Sequence, residues 1–291
     1  MKLFYENANV KIFQGDASAV IRELPSESFD LVFTSPPYNL SDPQHSGRYP
    51  KGGMWEGQIA NGYRSHGDNL PHWKYVQWQR GLLLDLWRLI TPAGAIYYNH
   101  KPRPVKGNIR LPLEWWPLPL RQIVIWNRKC GINFSKSHYA PFHEWILIGA
   151  KPEFSLINRS VSALGDVWTI PCEQHSDHPA PFPIALPARA IETTGAKRIV
   201  DPFSGSGSTL IAAMRAGVHA TGIEKDRTYC QMSADRCEAE LRGGGVSSFL
   251  PRFIKAGPGR IVADGQPPTN SRQARRAIPP HPDHFPQRHP A

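Results

Sequence analysis

The sequence of 291 residues has only four cysteines, and their spacing excludes several kinds of site. No two of them form a C-x-x-C pair, which argues against a zinc site and against a redox motif. Nothing in their spacing resembles a disulfide framework. We therefore expect no metal site and no disulfide framework from these residues, which are Cys130, Cys172, Cys230 and Cys237.

The sequence also lacks long hydrophobic runs. The N-terminal residues, MKLFYENANVKIFQGD, contain no apolar stretch of the kind found in a signal peptide. No apolar run is long enough to cross a bilayer. We expect a soluble, cytoplasmic protein with no membrane partner.

Acidic residues are fewer than basic ones, and the net charge is +10. A basic balance favours a polyanionic partner. Residues 242–291 are rich in Pro and Gly and carry a net charge of +6, which leaves about +4 for residues 1–241. Because the C-terminal segment has little apolar surface to bury, we expect a folded domain over residues 1–241 and a disordered basic tail over residues 242–291.

Alternating strand and helix patterns predict an α/β fold. Residues 9–16 and the apolar run FDLVFTSPP are predicted strands on either side of a helical stretch, which is a β-α-β arrangement. Further strands are predicted in AIYYNH, RQIVIWNR, EWILIGAK, RIVDPF and HATGIEKD, with helices before or after several of them. Residues 41–72 show no period and are predicted to be a mobile loop, and residues 152–180 are predicted to be irregular.

The stretch DPFSGSGST lies between a predicted strand and a predicted helix. Glycines at such a place let the backbone approach a ligand closely, and the helix N-terminus offers N–H groups to a carboxylate or phosphate. The stretch lacks the lysine of a phosphate-binding P-loop and does not complete the G-x-G-x-x-G pattern. A tight turn without a ligand is the alternative interpretation.

Two acidic residues stand at predicted strand ends. Glu224 closes the strand after the glycine turn, where doubly wound folds place an acid that accepts hydrogen bonds from ribose hydroxyls. Asp16 closes the strand in FQGD and could accept a hydrogen bond from an adenine amino group. A solvated acid at a strand end is the alternative for Glu224.

The stretch FTSPPYNL places two prolines and a tyrosine directly after a predicted strand. Proline donates no backbone hydrogen bond, so the strand must end there. The Ser35 hydroxyl and the Pro36 carbonyl can accept hydrogen bonds from an exocyclic amine of a nucleobase. Tyr38 can stack on the base, and Pro36 and Pro37 stiffen the loop. Taken alone, the stretch could also be a rigid turn with a packed tyrosine.

Together, TSPPYN and DPFSGSGST resemble the motifs of the amino-group DNA methyltransferases that use S-adenosylmethionine. In that family (D/N/S)-P-P-(Y/F/W) is the catalytic motif, and the D-P-F-x-G-x-G turn binds the cofactor. The catalytic motif comes first in this chain, as in the permuted β group of the family. The resemblance covers roughly residues 9–240 and includes LWRLITPAGAIYYNH, HEWILIGAK and HPAPFPIALPARAIETTGAKRIVDPF.

The resemblance implies a doubly wound, mostly parallel and circularly permuted sheet of roughly seven strands, with both motifs at its carboxyl edge. It implies that the catalytic residues are Ser35, Pro36, Pro37 and Tyr38 and that no metal takes part. Glu224 is expected at the ribose and Asp16 at the adenine ring; the family often has a lysine where Phe182 stands. The implied cofactor-binding residues are Asp16, Phe182, Pro183, Leu186, Asp201, Phe203, Ser204, Gly205, Ser206, Gly207, Thr209 and Glu224.

The resemblance also implies the substrate, which is a base flipped out of double-stranded DNA and methylated in line from S-adenosylmethionine. SPPY is commoner among the N4-cytosine enzymes of the family and DPPY among the N6-adenine ones. Ser35 therefore favours cytosine, with adenine as the alternative. Residues 152–177 are the candidate target-recognition insert. The implied setting is prokaryotic or phage-encoded, and a homodimer and a cognate restriction endonuclease are left open as partners.

Two other functions are weaker alternatives. Methyltransferases that act on RNA or on a protein glutamine also use a motif like N-P-P-Y. In most of them, however, the glycine turn precedes this motif along the chain. A non-catalytic DNA-binding relative would have a decayed pocket, whereas SPPY, GSGS and Glu224 are intact here.

Overall fold

The computed structural model describes residues 1–39, 70–105, 108–131, 139–172 and 182–243. All of these belong to one compact unit. The boundary at residue 241 and the disordered tail stay predictions, because residues 244–291 lie outside the described part of the chain. So does most of the predicted loop over residues 41–72, of which only residues 70–72 are described.

The described chain contains eleven strands and six α-helices. The strands are β1 (Lys2–Glu6), β2 (Val10–Gln14), β3 (Phe29–Thr34), β4 (Ile90–His100), β5 (Arg103–Val105), β6 (Asn108–Arg110), β7 (Leu120–Asn127), β8 (His143–Ala150), β9 (Val167–Thr169), β10 (Arg198–Asp201) and β11 (His219–Glu224). The helices are α1 (Ala17–Glu23), α2 (His72–Leu89), α3 (Arg159–Ser162), α4 (Ala185–Thr194), α5 (Ser208–Ala216) and α6 (Arg227–Arg242), and Pro112–Glu114 form a short 3-10 turn.

Nine of these strands form one sheet in the order β1-β2-β11-β10-β3-β4-β8-β7-β9. Strand β1 is antiparallel to β2, β8 is antiparallel to both β4 and β7, and the other neighbours are parallel. The run from β2 to β7 supplies the seven predicted strands, and β1 and β9 extend the sheet at its two edges. The mostly parallel α/β fold is therefore confirmed. The circular permutation stays a prediction.

Helices cover both faces of this sheet, because successive residues of a strand point to opposite sides. In β4, Ala95 and Tyr97 belong to the core that α4, α5 and α6 cover, whereas Ile96 and Tyr98 belong to the core with α1 and α2. All four side chains are at most 1% exposed. The apolar runs read from the sequence are thus strands buried on both faces, as in doubly wound folds.

Two short elements differ from the sequence prediction. Residues 152–180 were expected to be irregular, yet they contain the one-turn helix α3 and the strand β9, which pairs with β7 through Ile125 and Val167. Strand β1 was not predicted either. Strands of three to five residues at a sheet edge bury only part of their side chains, so they leave a weak apolar pattern.

A disulfide joins Cys130 and Cys172, whose Cα atoms are 6.8 Å apart. This corrects the expectation from cysteine spacing. Cys130 follows β7 and Cys172 follows β9, and these two strands are parallel neighbours. Because parallel neighbours end at the same edge of a sheet, the fold brings together two cysteines that are 42 residues apart in sequence.

The sheet also fixes where the functional stretches lie. Strands β3, β4, β7, β10 and β11 all end at one edge, and the antiparallel β8 begins there. The corner Ser35–Tyr38 follows the end of β3, the glycine turn follows the end of β10, and Glu224 is the last residue of β11. Within the described ranges, no helix is long and apolar enough to cross a membrane.

Candidate active site

The corner after β3 is held by side-chain hydrogen bonds. The Ser35 Oγ and Tyr38 hydroxyl oxygens are 2.7 Å apart, and the Tyr38 hydroxyl donates to Glu144 Oε2 at 2.9 Å. Tyr38 is 8% exposed, and its ring centroid lies 4.3 Å from that of His100. Little of the Tyr38 ring is open in this structure, so its stacking on a flipped base stays a prediction.

Three residues that the sequence prediction missed complete this network. The amide nitrogen of Asn99 donates to Glu144 Oε2 at 2.8 Å and to the Tyr38 oxygen at 2.9 Å. Arg128 Nη1 donates to the other carboxylate oxygen of Glu144 at 2.9 Å. Asn99 and Glu144 are 1% and 5% exposed, so the corner rests on a buried polar cluster.

A second chain of hydrogen bonds, which runs through side chains of β4 and α2, supports the corner. Trp115 Nε1 donates to the Tyr98 hydroxyl at 2.8 Å, and that hydroxyl donates to Gln79 Oε1 at 2.9 Å. Gln79 Nε2 donates to the Tyr75 hydroxyl at 2.9 Å, which donates to the Pro37 carbonyl at 2.9 Å. The four side chains are at most 1% exposed. The backbone carbonyl of Pro37 is therefore held by a buried side chain of the core.

His100 lies between these two networks. Its Nδ1 is 2.9 Å from the Lys101 carbonyl, and its Nε2 is 2.8 Å from the Tyr75 hydroxyl. Burial lowers the pKa of His100 well below its usual value, and the nearby Arg103 lowers this pKa further. His100 is therefore neutral near pH 7, so only one of its two ring nitrogens carries a hydrogen.

The glycine turn is tied directly to the corner. Asp201 Oδ1 accepts hydrogen bonds from the Thr34 hydroxyl and from the backbone N–H of Phe203, both at 3.1 Å. Its Oδ2 accepts from the Thr209 hydroxyl at 2.6 Å. Burial raises the pKa of Asp201 to about 6. Asp201 and Thr209 are 1% and 0% exposed, so these two residues link the two motifs from within the core.

Glu224 joins the turn to the neighbouring strands. Its two carboxylate oxygens accept from Gly205 N at 3.1 Å and from Asp226 N at 2.8 Å. Burial raises the pKa of Glu224, and these backbone hydrogen bonds oppose the rise. The Glu224 carbonyl accepts from Gly15 N at 2.9 Å, which places Asp16 beside it. The Asp16 side chain is half exposed; it caps α1 through Ser18 N.

The rest of the turn leads into α5. Gly207 has a φ of +86° and no side-chain cap at the helix N-terminus. A Cβ at this position would collide with the side chain of Ser233 on α6. Ser206 is held by Arg236, whose Nη1 donates to its carbonyl at 2.7 Å. Ser204 is 5% exposed, and its N–H donates to Ile223 O at 3.0 Å.

The predicted apolar contacts lie around this turn. The Phe182 ring packs edge-on against Phe33, with centroids 5.4 Å apart, and Phe203 packs against Trp78 at 5.9 Å. Pro183 is buried, and its carbonyl accepts from Leu186 N at 3.0 Å. Leu186 is 0% exposed inside the core. The structure thus makes Leu186 a core residue of α4.

These residues suit the cofactor that the resemblance implies. Each Glu224 oxygen uses one lone pair on a backbone N–H, which leaves capacity for ribose hydroxyls. The uncapped N-terminus of α5 suits a carboxylate, and the half-exposed Asp16 lies on the Glu224 side. Within the described ranges, no group of three or more His, Cys, Asp or Glu side chains could hold a metal ion.

A separate cavity of about 540 Å³ lies against the α4 face of the sheet. Its walls include Tyr97, Val124, Trp168 and Arg189. None of the predicted catalytic or cofactor-binding residues lines it, so it is distinct from the edge where the two motifs meet; several of its walls belong to the candidate recognition insert, residues 152–177.

The missed residues carried a weak signal in the sequence. Asn99 ends the predicted strand AIYYNH, Arg128 ends RQIVIWNR, and Glu144 begins EWILIGAK. Polar residues at strand ends become candidates for the site once the strand directions are known, because those directions show which strand ends share an edge of the sheet. Glu144 reaches the corner only because β8 runs antiparallel to its neighbours, and the sequence pattern does not give that direction.

Known proteins resemble this chain along most of its length. The profile of the N6/N4 methyltransferase family, described as DNA methylase, matches residues 29–235. The type II methyltransferase M.ScaI of Streptomyces caespitosus is 27% identical over 282 residues, covering 83% of this chain and 85% of the relative. The type II methyltransferase M.BglII of Bacillus subtilis is 23% identical over 265 residues, covering 77% and 67%.

Solved structures share the fold. The cytosine-N4-specific PvuII DNA methyltransferase superposes with a TM-score of 0.64 at 20% identity, covering 87% of this chain and 95% of its own. The M1.HpyAVI complex with S-adenosylmethionine gives a TM-score of 0.52 at 17% identity, with coverage of 78% and 99%. At these identities the likeness establishes the fold alone.

Proposed function

This chain belongs to the DNA methylase family, and on that premise we propose that it methylates the exocyclic amine of a base in double-stranded DNA. The methyl donor is S-adenosylmethionine, the target base is flipped out of the duplex, and the reaction is confined to a recognition sequence. The observation that carries the proposal is the hydrogen bond between Thr34 and Asp201. It joins the residue before Ser35 to the residue that begins the glycine turn, so an amine and a methyl donor can meet there.

The cofactor pocket in this proposal is built from the strand ends of β10, β11 and β2. Glu224 accepts from the ribose hydroxyls, Asp16 accepts from the adenine amino group, and the N-terminus of α5 receives the carboxylate. Phe182 and Phe203 contribute apolar walls. When bound, S-adenosylmethionine supplies an electrophilic methyl group.

In this proposal the corner residues bind the target amine and make its nitrogen more nucleophilic. Ser35 Oγ and the Pro36 carbonyl accept its two N–H bonds, which favours a pyramidal nitrogen with its lone pair available. The lone pair would form the new N–C bond as the C–S bond gives its electrons to sulfur, and the surplus proton of the nitrogen would pass to solvent water. Pro36 and Pro37 hold the acceptors still, and Tyr75 anchors the Pro37 carbonyl.

The proposed base is cytosine, methylated at N4, with N6-adenine as the alternative. The proposal rests on Ser35, because SPPY is commoner among the N4-cytosine enzymes of the family than among the N6-adenine ones. The PvuII enzyme is cytosine-N4-specific, but its 20% identity to this chain carries only the fold. A serine hydroxyl can accept from either amine, so Ser35 favours cytosine without excluding adenine.

DNA recognition and partners are further parts of the proposal. Residues 152–177 and 41–72 are the candidate DNA-contacting segments, of which residues 152–172 and 70–72 are described. The basic tail over residues 242–291 is proposed to contact phosphates. The proposal also includes a cytoplasmic location in a prokaryote and a cognate restriction endonuclease, since M.ScaI and M.BglII are named type II methyltransferases. A homodimer is a further part of the proposal, and the relatives' names do not bear on it.

The test is methylation of DNA by purified protein with isotopically labelled S-adenosylmethionine. Nucleosides released from the DNA are then identified by mass spectrometry, with the Ser35→Ala variant as control. We expect labelled N4-methylcytosine from the wild type and at least about a hundredfold less from the variant. N6-methyladenine alone would overturn the choice of base. No labelled nucleoside from DNA of diverse sequence would overturn the proposed function.

A further inference from the structure

Glu144 closes a chain of hydrogen bonds that begins at Ser35. Ser35 Oγ contacts the Tyr38 oxygen at 2.7 Å, and the Tyr38 hydroxyl contacts Glu144 Oε2 at 2.9 Å. Asn99 Nδ2 contacts both the Tyr38 oxygen and the same carboxylate oxygen. We call Ser35, Tyr38 and Glu144 the relay.

The available hydrogens determine which group donates at each hydrogen bond of the relay. An ionised carboxylate only accepts, and the amide nitrogen of Asn99 only donates. The single hydroxyl hydrogen of Tyr38 therefore goes to Glu144, because the carboxylate has no hydrogen to donate in return. The Ser35 hydroxyl must then donate to Tyr38. With its hydrogen used on Tyr38, Ser35 Oγ can only accept from a target amine. Asn99 Nδ2 lies 3.4 Å from this oxygen and uses one of its two lone pairs weakly, which leaves the other to accept.

We propose that Glu144 is a positioning residue that acts through Tyr38 to make Ser35 the acceptor for the target amine. The inference rests on the proposed function, because it assigns a role at the same site. Hydrogen bonds in a chain polarise one another, so the charge of Glu144 strengthens Tyr38 as an acceptor and Ser35 in turn. A neutral serine thereby gains part of the acceptor strength that a carboxylate has at the same position in a DPPY corner.

Arg128 forms an ion pair with Glu144. Its Nη1 lies 2.9 Å from Glu144 Oε1, and its Nη2 donates to the Pro141 carbonyl at 2.6 Å. The side chains of Arg128 and Glu144 are 17% and 7% exposed, so water screens this pair little. One carboxylate oxygen faces the arginine, and the other remains for the relay.

The experiment is a double-mutant cycle on methyl transfer. Glu144→Gln removes the charge with little change of shape, and Tyr38→Phe removes the phenolic oxygen while keeping the ring for base stacking. We expect each single variant to lower kcat by about tenfold or more, with the Kd for S-adenosylmethionine within about twofold of wild type. The double variant should lose little beyond the worse single one, because both substitutions break the same chain.

The matched control is Glu240→Gln, which removes another arginine-paired carboxylate, away from the site. Arg215 donates to Glu240 through Nε at 2.8 Å and through Nη2 at 2.9 Å. We expect kcat of this variant to stay within about twofold of wild type. Thermal unfolding of every variant checks that it folds. If Glu144→Gln does not fold, Tyr38→Phe alone decides.

The outcomes separate the relay from the proposed function. A wild type that binds S-adenosylmethionine but methylates no DNA overturns the proposed function, and the relay with it. A wild type that methylates DNA, with unchanged kcat in Tyr38→Phe, overturns the relay alone. Multiplying losses in the double variant also overturn the relay. A purely structural role would instead lower stability and cofactor affinity together.

Discussion

The Thr34 hydroxyl donates a hydrogen bond of 3.1 Å to the Asp201 carboxylate, and the two residues are 167 positions apart in the chain. Thr34 precedes the SPPY corner, and Asp201 begins the glycine turn. The same carboxylate accepts from Thr209 on α5 and from Phe203 N. The resemblance suggested a cofactor contact for Asp201. The structure shows a buried carboxylate that holds the two halves of the site together.

The Asp201→Asn substitution tests the cost of this buried charge. The pKa of Asp201 is about 6 in the folded state, against 3.8 as its ordinary value. A raised pKa means that its stabilising contribution is complete below pH 3.8 and is lost as the pH rises through about 6. The free energy of unfolding of Asp201→Asn, minus that of wild type, should therefore grow by about 3 kcal/mol from pH 3.5 to pH 7.

Urea unfolding at a series of pH values measures this difference. The exposed Asp235→Asn is the control, since Asp235 contacts only Gln231 among the described hydrogen bonds. A constant difference between Asp201→Asn and wild type over the whole range would show that burial does not disfavour the charge.

The His100→Gln substitution should give a pH effect of the opposite sign. Burial, and secondarily Arg103, lowers the pKa of His100 in the folded state. The unfolded chain then binds the proton first, so wild-type stability falls as the pH drops below the ordinary histidine value of about 6.5. Relative to wild type, His100→Gln should gain up to about 1.4 kcal/mol per pH unit below that point.

Chemical denaturation from pH 8 to pH 5 measures the His100 effect. The exposed His219→Gln serves as the control and should follow the wild-type curve. A variant curve parallel to wild type would mean that His100 is free to take up a proton in the folded protein.

The Gly207→Ala substitution should disturb the turn more than a matched glycine change elsewhere. Gly207 and Gly217 both have positive φ, at +86° and +67°. A Cβ at Gly207 would collide with Ser233, whereas a Cβ at Gly217 meets nothing within 4 Å. We expect Gly217→Ala to cost about 1 kcal/mol from backbone strain alone, and Gly207→Ala about 1–3 kcal/mol more.

Guanidinium unfolding of the two alanine variants gives this comparison. Cofactor titration should also show weaker binding for Gly207→Ala, because the displaced turn carries the N-terminus of α5. Equal stability losses in the two variants would place Ser233 farther from Gly207 than the structure does.

The Glu224→Gln substitution should weaken cofactor binding. A glutamine keeps one acceptor oxygen but turns an amide towards the Gly205 or Asp226 backbone N–H, where two donors then face each other. It also loses a charge-assisted acceptor for the ribose. We expect the Kd for S-adenosylmethionine to rise on the order of 10- to 100-fold.

Isothermal titration calorimetry with S-adenosylmethionine is the measurement. Glu238→Gln is the control, because Glu238 accepts from Tyr5 rather than from the turn, and its Kd should match wild type. An unchanged Kd for Glu224→Gln would remove Glu224 from the proposed cofactor pocket.

The fold was predictable to a large extent from local patterns. Apolar runs such as FDLVFT and RIVD identify strands, because a strand buried on both faces needs apolar side chains at successive positions. Helix α5 follows glycines and a serine-rich turn, as a helix start should. The edge strands β1 and β9 were missed, since short strands at the margin of a sheet need few apolar residues.

The amino-acid sequence alone is enough to identify the two motifs, their order along the chain and the strand ends that carry them. Local chemistry is enough for this, because proline ends a ladder and glycine opens a turn wherever they occur. It takes the folded arrangement to show that Asp201 contacts Thr34, that Cys130 is bonded to Cys172, and that Glu144 lies 2.9 Å from Tyr38. These contacts depend on which strands are neighbours and on their direction. Residues so far apart in sequence leave no local pattern from which such pairing can be read.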